Sequence, residues 1–228
     1  SGDFQMNVLV FAPHPDDEVL GCGGMLARLT RDGSTATVIY LTSGDAGSLE
    51  GAPGALAEIR EGEARQGAAV LGISDLIFLR NPDGYLEYSR DNLVNLVRLI
   101  RGKRPGLVLA PHAGEIHPDH RVTNELVMEA IRRAGGAWFP ECGNTPWPVP
   151  QVLCYEIFTP LTQVSYVEDI TDRMDLKLSS LREHASQLGS IAYDEAIAGL
   201  NRFRGVTTGR GRFCECFQVM VTTQVGRL

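Results

Sequence analysis

With 228 residues, 43% of them apolar and 21% charged, the chain is long enough to bury one sizeable core and is neither disordered nor collagenous. Its net charge of -7 argues against a general affinity for nucleic acid or an anionic membrane. The five cysteines lack the spacing of a disulfide scaffold, which predicts reduced thiols and a cytoplasmic protein. No stretch approaches the roughly 18 uninterrupted apolar residues of a membrane span.

Ser1 to Gln5 carry neither a basic nor an apolar leader region, so Met6 is expected near the natural start. The apolar run from Asn7 to Ala12, stopped by Pro13, predicts a buried strand of a parallel sheet. Asp16, Asp17 and Glu18 precede Val19, Leu20, Met25, Leu26 and Leu29, as acidic residues do at a helix N-terminus, and Asp32-Gly33 closes that helix. A strand at 37–41, a glycine-rich loop at 43–54, a helix at about 56–71 and a strand at 76–79 follow. A helix at about 90–101, a strand at 107–110 and a helix beginning near Asp119 continue the series. This alternation predicts an α/β fold with a doubly wound, mainly parallel sheet, because only helices on both faces hide strands that are apolar throughout. Pro140, Pro146, Pro148 and Pro150 then mark an excursion into a C-terminal α+β elaboration. Strands are expected there at 152–158, 165–169 and 213–221, with a helix at about 172–188 and a shorter one near 194–202. The whole reads as one domain, with a core over 6–136 and the elaboration over 137–228.

Two clusters carry the chemistry: Pro13-His14-Pro15-Asp16-Asp17-Glu18 after the first strand, and His117-Pro118-Asp119-His120 after the fourth. In a parallel sheet both lie at the strands' carboxyl edge, where open α/β folds bind ligands. Catalytic zinc commonly takes two histidines and one carboxylate and leaves a position for water; His14, Asp17 and His120 supply that set. Asp16 is available as the base that takes the water's proton, and His117 as the group that stabilises the oxyanion and protonates the leaving amine. Asp119 is placed to orient His117 or raise its pKa. Taken singly, paired aspartates at a helix start are usually caps and a lone histidine is usually structural. Taken together, three of the chain's five histidines and three aspartates in two such clusters point to a metal site. His112 reads as a loop residue and His184 as structural or interfacial. Cys214 and Cys216 read as two residues on one face of a strand.

The chain resembles the N-acetylglucosaminyl deacetylases of the PIG-L and LmbE-like family. The matching residues are His14-Pro15-Asp16-Asp17-Glu18 with Gly21-Cys22-Gly23-Gly24, Leu41-Thr42-Ser43-Gly44, Arg60 with Glu63, Leu71-Gly72, Pro82-Asp83-Gly84 and His117-Pro118-Asp119-His120. A weaker similarity extends to Lys177, His184 and Ser186-Gln187. The resemblance implies a Rossmann-like fold, one zinc ion per chain and hydrolysis of the acetamide of a 2-acetamido sugar. Carried over to this sequence, it implies that His14, Asp17 and His120 bind zinc, Asp16 is the general base and His117 the acid. It also implies that Arg60 and Asp83 grip the sugar or its appended group, and that the chain forms a homo-oligomer, a trimer or hexamer. Glu115-Ile116 stands where mycothiol-pathway members carry an aromatic residue, a departure that argues against a mycothiol-type substrate.

Competing classes fit less well. A hydrolase of a non-sugar N-acyl substrate would use the same residues. A receiver-like phosphoacceptor domain needs an aspartate after strand three, where Leu79-Arg80-Asn81 stands. An iron oxygenase with two histidines and a carboxylate expects a β-barrel and His-x-Asp spacing. Gly21, Gly23 and Gly24 fail the G-x-G-x-x-G pattern of a dinucleotide site. A catalytically dead carbohydrate-binding module would not need the complete set of ligands and base.

Overall fold

The computed structural model describes residues 5–47, 53–143 and 145–222; residues 1–4 and part of the glycine-rich loop lie outside this range. The apolar run from Asn7 forms β1 (Asn7–Ala12). Its side chains alternate between two cores, as the two-residue period of a strand requires. Val8, Val10 and Ala12 face the layer that holds α1 (Asp17–Arg31) and α2 (Pro53–Val70), while Leu9 and Phe11 face α3 (Arg90–Lys103) and α4 (Pro118–Ala134). β1 pairs in parallel with β2 (Thr35–Thr42) on one side and with β4 (Leu107–Pro111) on the other. β3 (Asp75–Asn81) extends the sheet beyond β2, and β5 (Gln151–Tyr155) extends it beyond β4. β7 (Cys214–Thr222) adds antiparallel to β5, and β6 (Tyr166–Asp169) antiparallel to β7, giving the order β3-β2-β1-β4-β5-β7-β6. The doubly wound, mainly parallel sheet expected from the sequence is therefore the fold. The chain winds outward in opposite directions from β1 and β4, so the gap between these strands is the topological switch point.

Three elements of the elaboration depart from the sequence reading. The helix expected over 172–188 is two helices, α5 (Met174–Arg182) and α6 (Ala185–Leu188). Glu63 accepts hydrogen bonds from the Ser186 amide at 2.8 Å and hydroxyl at 2.6 Å, and so starts a new helix there. The helix expected to end near Arg202 continues as α7 (Tyr193–Thr208). Gly205 is where α7 meets the backbone of 211–212; a Cβ there would lie 2.4 Å from the Arg212 carbonyl. β5 stops at Tyr155 rather than running to 158, because the amides of Ile157, Phe158 and Thr159 bind the Glu115 carboxylate instead of a neighbouring strand.

Helix α1 is broken at Cys22, whose φ of -146° and ψ of 20° are not helical. The break frees the amides of Gly24 and Met25, and Glu215 of β7 accepts both at 2.8 Å. Lys177 of α5 neutralises that carboxylate at 2.7 Å and donates to the Leu20 carbonyl at 2.8 Å. Both charged side chains are fully enclosed. The elaboration thus holds the helix that carries Asp17. Glu215→Ala would leave the Lys177 charge buried without its partner and two amides unmet. The expected loss is about 3–5 kcal/mol of folding stability, read from chemical denaturation; a loss below about 1 kcal/mol would show that the pair does not anchor α1.

Candidate active site and metal centre

Asp16 stands at the entrance of α1 with φ 115° and ψ -27°, a region that L-residues rarely adopt, and makes no side-chain capping bond. A capping role is therefore not what holds it. Arg60, buried on α2, donates to the Pro15 carbonyl at 2.7 Å and to Asp16 Oδ2 at 3.3 Å. The Asp16 amide donates to Glu18 Oε2 at 3.3 Å, and Glu18 Oε1 accepts from the Tyr40 hydroxyl at 2.7 Å. Asp17 turns back on the preceding loop and accepts the His14 amide at 2.8 Å. At the start of α4, His117 Nδ1 accepts the Asp119 amide at 3.2 Å as the N-cap, with Pro118 in the first turn. One short turn on, His120 is fully buried.

The two clusters meet as the topology requires. Asp17 Oδ2 lies 3.0 Å from His14 Nδ1 and 3.3 Å from His120 Nε2. These separations match the edge of a tetrahedron with ligands about 2.0–2.1 Å from its centre, roughly 3.3 Å. His117 completes a triangle of imidazoles, its ring centroid 4.8 Å from that of His14 and 4.9 Å from that of His120. His14, Asp83 and Asp119 form a second group with ligand atoms within 4.8 Å of one another. Both ring nitrogens of His120 are buried without a hydrogen-bond partner, a state that a metal ion on Nε2 would relieve. The donor set is thus able to bind a metal.

The electrostatics agree. Burial opposes ionisation of Asp17, but His120 and His14 hold its carboxyl well below the usual range. Burial, with Asp17 adjacent, pushes Asp16 up to about 7 against the pull of Arg60. Burial would lower His120, yet Asp17 and Glu115 carry it to about 9. His14 is likewise raised by Asp119, Asp17 and Asp83 against burial. A field that favours a proton on both imidazoles also favours a divalent cation between them.

Some expected residues act elsewhere. The Asp119 carboxylate meets His14 Nε2 at 3.2 Å and the amides of Gly84 and Leu86, so it orients His14 rather than His117. Burial and the two neighbouring imidazoles lower His117 below its ordinary value, and the opposing pull of Asp119 is outweighed. Asp83 spends Oδ1 on His14 at 3.0 Å and Oδ2 on the Ala46 amide at 2.9 Å. Arg60 does not pair with Glu63 on the helix surface, and both Arg60 and Asp83 line the cleft. His112 donates from Nε2 to the Thr159 carbonyl at 2.7 Å, accepts the Gly114 amide on Nδ1 at 3.1 Å, and does not line the cleft. His184 is fully buried beside Gly67, and Cys214 and Cys216 are buried free thiols.

Glu115 is the residue the sequence reading missed. It is buried beneath His120, its Oε2 3.6 Å from Nδ1, while it collects the amides of Ile157, Phe158 and Thr159. These contacts and His112 pull it down to about 2 against burial. The same amides set Phe158, whose ring stacks on His120 at 5.3 Å. The His112-x-x-Glu115 spacing was the only sequence signal for it. Carboxylates behind a ligating imidazole commonly contribute about 10- to 100-fold in metal affinity. Glu115→Gln keeps an acceptor at only one of the two oxygen positions, so it gives up part of the 157–159 contacts, and it is expected to lose metal to a competing chelator by that factor. Unchanged competition would confine Glu115 to holding the 157–159 loop.

The sequence profile of the PIG-L family, described as GlcNAc-PI de-N-acetylase, matches residues 9–131. The chain is 35% identical over 202 residues to the diacetylchitobiose deacetylase of Thermococcus kodakarensis, covering 81% of this chain and 74% of that protein. It is 30% identical over 223 residues to a 1D-myo-inositol 2-acetamido-2-deoxy-alpha-D-glucopyranoside deacetylase of Saccharopolyspora erythraea, covering 77% and 81%. Among solved structures, N,N'-diacetylchitobiose deacetylase from Pyrococcus horikoshii superposes with a TM-score of 0.85 at 29% identity, over 96% of this chain and 87% of that one. GalB, the 4-carboxy-2-hydroxymuconate hydratase of Pseudomonas putida, shares the fold with a TM-score of 0.84 at 22% identity, over 97% and 99%.

Proposed function

The chain belongs to the PIG-L family, and on that premise we propose that it removes the acetyl group from an N-acetylglucosamine-type sugar or conjugate, with zinc held by His14, Asp17 and His120. The observation that carries this reading is the buried Asp17 carboxylate shared by His14 and an otherwise unpartnered His120, one residue from Asp16. A zinc ion bound there would supply a Lewis acid for the amide oxygen and a water with a pKa of about 7. Asp16, at about 7 and fixed by Arg60, takes the proton of the attacking water. His117 spends Nδ1 on the Asp119 amide, which leaves Nε2 to carry the proton that steadies the oxyanion and then passes to the departing amine. Asp119 and Asp83 fix the far nitrogen of His14, and Glu115 backs His120.

Arg60 acts first on Asp16, and its unpartnered Nε remains to meet a sugar hydroxyl. Its replacement by alanine is therefore expected to depress kcat as well as raise KM, with metal content unchanged. Asp83, with both oxygens engaged, takes the sugar-binding role only by its place on the cleft wall. Hydrolysis of a non-sugar N-acyl substrate would use the same groups, and the shared fold of a hydratase shows that architecture alone does not choose the reaction. Acetate release from a panel of N-acetyl sugars and their conjugates by the zinc-loaded protein tests the reading; no release from any of them would overturn it.

The unit proposed is one deacetylase domain, supported by the continuous sheet, in the cytoplasm, supported by five free thiols. Among the described residues no helix is long and apolar enough to cross a membrane. It is proposed to assemble as a trimer or hexamer, supported by the exposed Phe203 and Val206 of α7; a monomeric mass by light scattering would exclude this. The neighbouring aspartates give the sharpest test of the site. Asp16→Asn should keep its zinc and lose turnover by about 100- to 10,000-fold, since an amide takes no proton from water. Asp17→Asn should lose zinc affinity first, since a neutral amide is the poorer ligand. Zinc content and acetate release, measured together, would contradict these roles if Asp16→Asn proved metal-free or Asp17→Asn kept zinc and rate.

A further inference from the structure

Beside the polar cleft of the candidate centre lies a second cavity of about 170 Å³, lined by apolar and aromatic residues alone: Leu20, Ile157, Pro160, Ala196, Ile197 and Leu200, with Phe158 and Tyr193. Phe158 and Tyr193 line both spaces, so the two cavities share a wall. The Phe158 ring stacks on His120 at 5.3 Å and faces Tyr193 at 5.8 Å, which puts the boundary one ring from the metal centre. Leu20 lies one helical turn after Asp17 on α1, so the floor of the apolar cavity and a candidate ligand belong to the same rigid element. The other edge of the cleft differs in kind. Arg60 and Gln187 crowd Gly47 there, each with a buried side-chain nitrogen that has no partner, and Ser190 adds a hydroxyl.

A cleft with unmet hydrogen-bonding groups at one edge and an apolar cavity at the other suits a molecule divided in the same way. We propose that the apolar cavity is a subsite for a short aliphatic or aryl group carried by the amino-sugar substrate, whose hydroxyls meet the polar edge. The inference rests on the proposed deacetylase reading and goes beyond it, because an unadorned N-acetyl sugar has nothing to put there. The volume is of the right order, since a dry apolar cavity of about 150 Å³ takes a benzene-sized ligand. Continuity with the substrate cleft names the occupant, because a group entering past Phe158 is already attached to whatever reaches His120. Glu115 supports the arrangement by fixing the 157–159 backbone that sets Phe158.

The group arrives by one of two bonds, as an N-acyl chain longer than acetyl or as an alkyl group on the sugar's anomeric oxygen. Steady-state kinetics on N-acetylglucosamine, N-butyrylglucosamine and butyl N-acetylglucosaminide separate them. Burial of a methylene is worth about fourfold, so kcat/KM is expected to rise by at least roughly tenfold in the series that reaches the cavity and not in the other. Calorimetric binding of butyl against methyl glucosaminide, and of N-butyryl- against N-acetylglucosamine, reads the subsite without turnover. Ala196→Trp, placed on the exposed rim to fill the cavity, should erase the gain in both measurements. Hydrolysis of N-acetylglucosamine with no alkyl gain in either series overturns the subsite and leaves the proposed activity standing. Tighter alkyl binding, lost in Ala196→Trp, with no hydrolysis of any sugar would overturn the activity and keep the subsite. A gain that survives Ala196→Trp places the apolar group elsewhere and also overturns the proposal.

Discussion

Negative charge gathered out of water is the constraint around which this molecule is arranged. Asp16, Asp17, Glu115 and Asp119 are all buried close to His14 or His120, and Glu18 is buried beside Asp16. A carboxylate taken into the interior without compensation costs several kcal/mol, so each must be answered. Arg60 answers Asp16, backbone amides answer Glu115 and Asp119, and burial pushes Glu18 up to about 8, where it is uncharged at neutral pH. Asp17 has the His14 amide and otherwise only imidazoles. It is therefore the point in the fold where a cation contributes most, and the proposed zinc site follows from that balance as much as from ligand geometry.

The topology explains how residues more than a hundred positions apart share this charge. β1 and β4 are neighbours at the switch point, and each hands the chain to a helix whose N-terminus faces the same edge. The C-terminal elaboration is part of the same device. Glu215 and Lys177 brace the broken α1 from below, while the segment after β5 reaches over to Glu115 and delivers Phe158 to His120. The second half of the chain thus sets the position of the proposed ligands carried by the first.

How much of this was legible in the sequence follows from the range of the interactions involved. β1 was readable residue for residue because a run apolar on both faces, closed by proline, has one stable setting in a parallel sheet. His14, Asp17 and His120 were readable because local motifs place them at strand ends. The break between α5 and α6 was not, since it depends on Glu63 reaching Ser186 from 123 positions away. Glu115 was hidden for the same reason: its partners lie 42 to 44 positions on, in a segment whose own apolar pattern suggested a longer strand. The motif drew attention to Asp119 but not to its partner, because which histidine a carboxylate meets depends on how two helices are set, not on their spacing in sequence.

The strain at Asp16 has a physical account in the same terms. Successive residues of a regular helix point about 100° apart, so two adjacent carboxylates at its start cannot both look into one small site. Reversing φ at Asp16 to 115° removes that conflict, turning its carboxylate toward Arg60 and the cleft while Asp17 keeps its place between the imidazoles. Such a conformation costs on the order of 1–3 kcal/mol in a non-glycine residue and persists only where its surroundings over-determine it. Here Arg60 grips the residue before and the carboxylate itself, and Glu18, tied to Tyr40, takes the amide. Two consecutive carboxylates, the proposed base and the proposed ligand, are thereby given different directions by one backbone angle. What the Pro15-Asp16-Asp17-Glu18 segment depends on is that angle, together with the Arg60 and Glu18 side chains that hold it.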